Sequence, residues 1–147
     1  MRPIICIAFA FAVSFSHAVI AASSDLIQSE RAVREECSAF SQAGMRACVK
    51  IKAGESRVAL RLAEDDLLRA ISKWDEDSKY VRLAKIKLAM SNERFAAYRE
   101  AECGFSGSLS GGGAGDTHEI RRLACVAELN SQRANQLSRS VADMVTN

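Results

Sequence analysis

The sequence predicts an all-α protein, a small bundle of three main helices with two disulfides. The 147-residue chain has one proline, Pro3, and only 6% aromatic residues, while Ala, Glu, Arg and Leu are abundant. This composition favours helix, because proline is the residue that interrupts helices most strongly. Apolar residues recur every three or four positions along three long segments, and no segment alternates as strands do.

The first 22 residues have the pattern of a secretory signal peptide. Arg2 precedes an apolar run over residues 4–15, and small residues follow. This run is too short to span a bilayer. We expect residues 1–22 to be removed, which leaves residues 23–147 as one periplasmic or secreted domain. The alternatives are a retained signal anchor and a lipoprotein, but Cys6 lies at the start of the run, whereas a lipidated cysteine follows it.

Charge excludes two classes of partner. The net charge of the whole chain is +2, and it falls to about +1 in the exported form because Arg2 is the only charged residue removed. So small a charge gives no basis for binding nucleic acid or an anionic membrane. We therefore expect no nucleic acid as partner and no membrane association after cleavage.

An even number of cysteines remains after export, which predicts disulfides. Four cysteines allow three pairings. Their spacing matches no zinc finger or ribbon, and His118 is the only histidine left. We expect neither a metal nor another cofactor. The four residues are Cys37, Cys48, Cys103 and Cys125.

Two amphipathic helices and their caps follow from the apolar spacing. Residues 24–40 are polar and predict a short helix or an extended lead-in. Ser41 is placed to cap a long helix from about Gln42, with an apolar stripe of Leu60, Ala63, Leu67, Ile71 and Trp74. After an acidic turn, a second helix is expected over residues 79–103, with a stripe of Leu83, Ile86, Met90, Ala97 and Ala101.

A glycine-rich loop and a third helix complete the bundle. Six of the eight glycines lie between Gly104 and Thr117, a composition typical of a flexible loop. The last helix carries its apolar face on Ile120, Leu123, Ala127, Ala134, Leu137 and Val141. Three such helices are expected to pack around one core.

The cysteines and their neighbours carry a family resemblance. The run from Phe95 to Cys103 resembles the aromatic, Tyr-Arg, acidic, Cys run of the lysozyme inhibitor LprI-like family, with Asn92 and Phe95 where that family commonly has Gln and Trp. The family's acidic-x-x-Leu-Asn-x-x-Tyr stretch lacks its Asn and Tyr here. The resemblance spans about residues 37–137. Its other matches are Cys37, Cys48, Gly111, Gly112, Gly113, Cys125, Leu129, Arg133 and Leu137.

The resemblance implies two local disulfides, Cys37–Cys48 and Cys103–Cys125, and a protein that inhibits lysozyme, a muramidase. Such inhibition would be steric, with a loop entering the cleft that holds the carboxylates of the enzyme. The best candidate is the loop 104–117, whose hydroxyls can donate to carboxylates and whose glycines permit close approach. A plain connector is the alternative for this loop. Its candidate binding residues are Ser106, Ser108, Ser110, Gly111, Gly112 and Gly113.

The net charge of the domain raises an alternative function. Animal-type lysozymes are strongly basic, and a domain near +1 lacks an acidic surface to steer them. An envelope interaction module with another partner is therefore the alternative function.

The remaining motif residues are expected to have structural roles, since Phe95 and Tyr98 share a helical face and are expected to pack. These motif residues are Phe95, Tyr98, Arg99 and Arg133.

Catalysis finds little support in the sequence. Nucleophilic hydrolysis needs a base beside Ser or Cys, and His118 is placed at a helix start, where a surface or capping role is expected. The consecutive acids Glu64, Asp65 and Asp66 point in different directions on a helix. We therefore expect a binding protein and not an enzyme.

Overall fold

The computed structural model describes residues 29–113 and 115–146. Four helices account for most of them: α1 (Glu30–Glu36), α2 (Gln42–Ser72), α3 (Ser78–Ser108) and α4 (Thr117–Thr146). No strand occurs in these ranges, so the expected all-α bundle of three main helices is confirmed. The predicted signal peptide lies outside the described residues.

Helix α4 is the centre of the bundle, because it packs on all three other helices and most extensively on α2. Its apolar face is the one the sequence predicts, with Ile120, Leu123 and Leu137 buried. Helix α2 runs parallel to α4, so that Ser56 meets Asn130 and Ile71 shares a cluster with Met144. Helix α3 runs antiparallel to α4.

Two apolar clusters form the core. The first surrounds the disulfides and joins all four helices through residues such as Val33, Val49 and Ala124. The second lies towards the far end of α2 and α4, around Leu60 and Leu137. Between them lies a polar layer, where Asn130 and Ser56 are buried.

Both disulfides implied by the family resemblance are present. Cys37–Cys48 joins the end of α1 to α2, and Cys103–Cys125 joins α3 to α4. Closing loops of 11 and 22 residues removes chain entropy from the unfolded state, by about 3 kcal/mol each on the usual scale. Since α1 has only seven residues, its disulfide and the buried Val33 hold it on the bundle.

Helix α2 follows its prediction apart from its last residue. The Ser41 side chain accepts a hydrogen bond from the Gly44 N–H and caps the helix, and the stripe from Leu60 to Ile71 is buried. Trp74 was wrongly placed on that stripe. It lies two residues beyond the helix and remains 41% exposed.

The stripe predicted for α3 is wrong, because Leu83, Ile86 and Met90 are 42–57% exposed and Ala97 and Ala101 are exposed as well. The helix packs instead through Val81, Ala84, Leu88 and Phe95. Helix α3 has apolar residues on two faces, and spacing alone does not say which face meets the core. We call Leu83, Ile86 and Met90 the outer face of α3.

Helix α3 also extends further than expected, from Ser78 to Ser108, after the Asp77 side chain accepts from the Lys79 N–H. Gly104 and Gly107 thus lie in a helix, although glycine costs about 1 kcal/mol there. Packing explains the extension, since a Cβ at Gly107 would lie 3.2 Å from the His118 carbonyl oxygen. Among the described helices, none is long and apolar enough to cross a membrane.

Candidate functional site

The glycine loop is shorter than the sequence predicts. Its described residues are 109–113 and 115–116, so Ser110, Gly111, Gly112 and Gly113 lie in it, whereas Ser106 and Ser108 belong to the end of α3. We call it loop 109–116. Gly111 and Gly115 have φ of +57° and +69°, a region that residues with a Cβ rarely adopt. The loop therefore depends on glycine at two positions.

The two serines that were assigned to the loop make contacts within the fold. The Ser106 hydroxyl is buried and donates to the Glu30 carboxylate over 3.0 Å, which ties α3 to α1. The Ser108 hydroxyl donates to the Phe105 carbonyl of its own helix over 2.7 Å. Both serines therefore lie in α3 and not in the loop, which corrects their predicted placement. Ser108 is exposed beside the loop.

The loop is fastened at both ends. Cys103–Cys125 lies just before it. Asp116 forms an ion pair with Arg46 of α2 at 3.3 Å, and the Gln42 amide donates to the Thr117 hydroxyl over 3.3 Å. A Cβ on Gly115 would lie 2.6 Å from the Gln42 side-chain oxygen, so the loop backbone passes directly against α2. These contacts hold both ends of the loop against the bundle.

A pocket of about 360 Å³ opens beside the loop. Its lining combines an apolar part with a polar part that contains two arginines. The lining residues are Arg34, Gln42, Met45, Leu109, Ser110, Thr117, Ile120 and Arg121. A pocket of this size accommodates a side chain or a small ligand. We call it the loop pocket.

The motif residues lie elsewhere, in the polar layer at mid-bundle. Arg99 donates to the side-chain oxygen Oδ1 of Asn130 over 2.9 Å, and the side-chain amide nitrogen Nδ2 of Asn130 donates to the Ser56 hydroxyl over 3.1 Å. Arg133 donates to Asn92 of α3 over 3.1 Å. These bonds join α2, α3 and α4. Residue 130 lies 13 positions after the start of α4, about 20 Å from the loop along the helix axis.

Phe95 lies between the two motif arginines. The guanidinium carbons of Arg99 and Arg133 are 5.8 Å and 5.7 Å from its ring centre, within the range of cation–π attraction. Phe95 is half-buried as expected, but Tyr98 is 53% exposed, so the expectation that Tyr98 packs is wrong. Three of the four motif residues therefore stabilise the α3–α4 contact.

Glu64 of α2 faces the same layer. Burial raises the pKa of its carboxyl above the ordinary value of 4.5, and this outweighs the nearby Arg133 and Arg99, which lower the pKa. Its neighbours Asp65 and Asp66 are exposed. The three acids thus do not form a carboxylate pair.

Other chemistry is sparse in the part of the chain that the structure describes. No cluster of three His, Cys, Asp or Glu side chains suited to a metal occurs in residues 29–113 and 115–146. His118 is exposed near the start of α4. The sequence pattern did not single out Arg34, Arg121 or Asn130. Arg34 and Arg121 come together only on folding. Asn130 could have been identified from the sequence, because it is a polar residue on the apolar face of α4.

Comparison with known proteins gives one match. A family model described as lysozyme inhibitor LprI matches residues 34–137. This range covers both disulfides, the loop and the motif residues. No curated protein and no solved structure shows significant similarity to the chain.

Proposed function

The chain belongs to the lysozyme inhibitor LprI family, and on that premise we propose that it is an exported binding protein that inhibits a muramidase. The family match over most of the chain is the observation that carries this proposal. We further propose that the loop end of the bundle, which comprises the loop 109–116 and the loop pocket, enters the cleft of the enzyme.

The geometry of the loop supports this choice of surface. Binding loops are more effective when they are held in the bound conformation beforehand, because less ordering entropy is lost on association. Loop 109–116 is fastened by Cys103–Cys125 and by the Arg46–Asp116 ion pair. A Cβ on Gly111 or Gly112 would touch nothing, so the tip of the loop projects freely.

Export is part of the proposal. Disulfides form in oxidising compartments outside the cytoplasm, and the chain has two. With the signal pattern of residues 1–22, they support removal of that segment and a periplasmic or secreted domain of residues 23–147. Mass spectrometry of the exported protein is expected to find a start at Ala22 or Ser23. An intact Met1 on most molecules would contradict export with cleavage.

The absence of catalysis also remains a proposal. The family is one of inhibitors, and a loop that blocks a cleft needs neither a nucleophile nor a cofactor. The protein would act by occupying the space that a glycan strand requires, near the two carboxylates that muramidases use.

An envelope interaction module without lysozyme activity is the second candidate. The outer face of α3 favours it, since Leu83, Ile86 and Met90 are exposed along one side of a helix, and apolar patches on a surface commonly mark contacts with other proteins. The small net charge also gives no electrostatic steering towards a basic enzyme.

A muramidase assay separates the two candidates. The oxidised exported protein is added at increasing concentration to a lysozyme acting on a peptidoglycan suspension, and loss of turbidity is followed. Inhibition that saturates with dose, together with co-elution of the two proteins in gel filtration, is expected. No inhibition by a large molar excess of folded protein would contradict the proposal and favour the envelope module.

A further inference from the structure

We propose that the loop pocket binds a carboxylate on a short aliphatic stem, as an Asp or Glu side chain of a protein partner provides. The site lies between α1, α2, the start of α4 and the loop, and the motif residues play no part in it. Two arginines approach the pocket from different helices, Arg34 from α1 and Arg121 from α4.

The pocket carries a net positive charge. Among the described residues, one carboxylate pairs with both arginines: Glu30 Oε1 lies 3.6 Å from Arg34 Nε and 3.4 Å from Arg121 Nε. The other carboxylate oxygen, Oε2, accepts a hydrogen bond from Ser106 and so is held towards α3. Two guanidinium groups thus face one carboxylate, and one positive charge remains for a ligand.

A hydroxyl without a partner lies in the same space. The Ser110 hydroxyl is buried and has no hydrogen-bond partner among the described residues, and Arg34 Nε and Arg121 Nε share Glu30 Oε1 at ion-pair distances that are too long for hydrogen bonds. Buried polar groups are normally paired in folded proteins, so the Ser110 hydroxyl and the two loosely paired guanidinium groups can take a further acceptor. A carboxylate accepts several hydrogen bonds and pairs well with guanidinium groups.

The apolar part of the pocket selects the rest of the ligand. Met45, Leu109 and Ile120 line it beside the arginines, which favours a carboxylate carried on methylene groups over a small inorganic anion. Leu109 and Ser110 also belong to the loop and its boundary with α3. A partner that contacts the loop would therefore reach the pocket with the same surface.

This inference rests on the proposed function only for the identity of the partner. If the loop end enters a muramidase cleft, the carboxylates that line such a cleft are the acidic groups nearest to the pocket. A positively charged pocket would also explain how a domain without an acidic surface can recognise a basic enzyme, since the contact is made with the acidic cleft.

A titration with a capped amino acid tests the pocket without the enzyme. The probe is N-acetylglutamic acid α-amide, which carries one carboxylate on its side chain, and N-acetylglutamine α-amide is its neutral control. Saturable shifts of the amide resonances of Leu109, Ser110 and Arg121 are expected with the acid at millimolar concentration, and none with the neutral amide. Equal shifts with both probes, or no shifts with either, would overturn the proposal.

Variants locate the binding. Arg34→Ala is expected to weaken binding of the acidic probe at least tenfold, and Ser110→Ala several-fold. Arg31→Ala is the matched control, since Arg31 lies on the same helix with its side chain 83% exposed and pairs with Glu35. The affinity of this variant for the acidic probe should equal that of the unmodified protein. Unchanged affinity in a folded Arg34→Ala variant would place the probe elsewhere and overturn the proposal.

The titration tests the pocket and the muramidase assay tests the proposed function, so each proposal can be contradicted without the other. Probe binding without inhibition would leave the pocket standing and contradict the proposed function. Inhibition without probe binding would contradict the pocket and leave the function standing.

Discussion

Asn130 is the residue on which three helices converge. It lies on the apolar face of α4, is fully buried, and bonds to Arg99 of α3 and Ser56 of α2. A buried polar residue is tolerated when its hydrogen bonds are made, and removing one partner leaves the other unpaired. The two apolar clusters on either side fix its position along the helix axis.

Asn130→Ala is expected to lower the free energy of unfolding by about 2–4 kcal/mol, through the lost hydrogen bonds and the cavity left behind. Urea denaturation measures the change. Asn135→Ala is the control on the same helix outside this network, with an expected effect within about 0.5 kcal/mol. Equal effects of the two substitutions would contradict the role assigned to Asn130.

Glu64 provides a prediction for pH. Because burial raises the pKa of its carboxyl in the folded state, the folded protein favours the protonated form. The stability linked to this group is present at low pH and is lost as pH rises through the raised pKa. Glu64→Gln should therefore be more stable than the unmodified protein at pH 7, and the difference should shrink towards pH 4.

Denaturation curves of both proteins at several pH values test this. Glu93→Gln removes an exposed carboxylate on α3 and controls for the change in net charge. A Glu64→Gln variant that is less stable at pH 7 would mean that attraction to Arg133 and Arg99 outweighs burial.

Among the helices, α3 differs most from its prediction. Its start after the acidic turn follows from the sequence, but its buried face does not. The residues that pack are only partly covered, as Leu88 and Phe95 show, while the outer face carries equally apolar side chains. Periodicity defines a face on a helix and gives no information about the partner it meets.

Substitutions on the two faces of α3 distinguish them. Leu83→Gln and Ile86→Gln are each expected to change the free energy of unfolding by less than about 0.5 kcal/mol, as at other exposed sites. Leu88→Ala, on the packed face, should lower it by about 1–2 kcal/mol, less than at a fully buried site. Thermal and urea denaturation measure both. A larger loss of unfolding free energy at Leu83 or Ile86 would mean that the outer face is buried in the core.

The boundary between α3 and the loop does not follow from local sequence rules. Glycine content predicts an irregular segment from Gly104, yet α3 continues to Ser108, because the close contact of Gly107 with α4 and the nearby disulfide offset the low helix propensity of glycine. Packing therefore determines which serines lie in the helix and which lie in the loop, and these packing contacts cannot be seen from the sequence.

At the scale of the whole molecule, the sequence predicts the class of fold, the long helices, the stripes of α2 and α4 and, through the family resemblance, the disulfide pairs. It does not predict the loop pocket. Arg34 and Arg121 are far apart in the chain and meet because α1 is fixed on α4, which is a consequence of tertiary packing. Motif residues and candidate binding residues therefore lie in separate parts of the bundle.

In the proposed account, the middle of the bundle provides stability and the loop end provides binding. Substitutions in the polar layer should act on folding, whereas changes at the exposed tip of the loop should act on the partner alone. Gly112 and Gly54 suit a matched test, since a Cβ at either meets nothing within 4 Å, and Gly54 lies within α2, about 18 Å from the start of that helix.

The most direct test is inhibition of a muramidase by the Gly112→Trp and Gly54→Trp variants, with equal melting temperatures as the check on folding. If the loop enters the cleft, a tryptophan at its tip should raise the concentration for half-maximal inhibition at least tenfold, while Gly54→Trp should inhibit as well as the unmodified protein. Unimpaired inhibition by folded Gly112→Trp would contradict binding through the loop end.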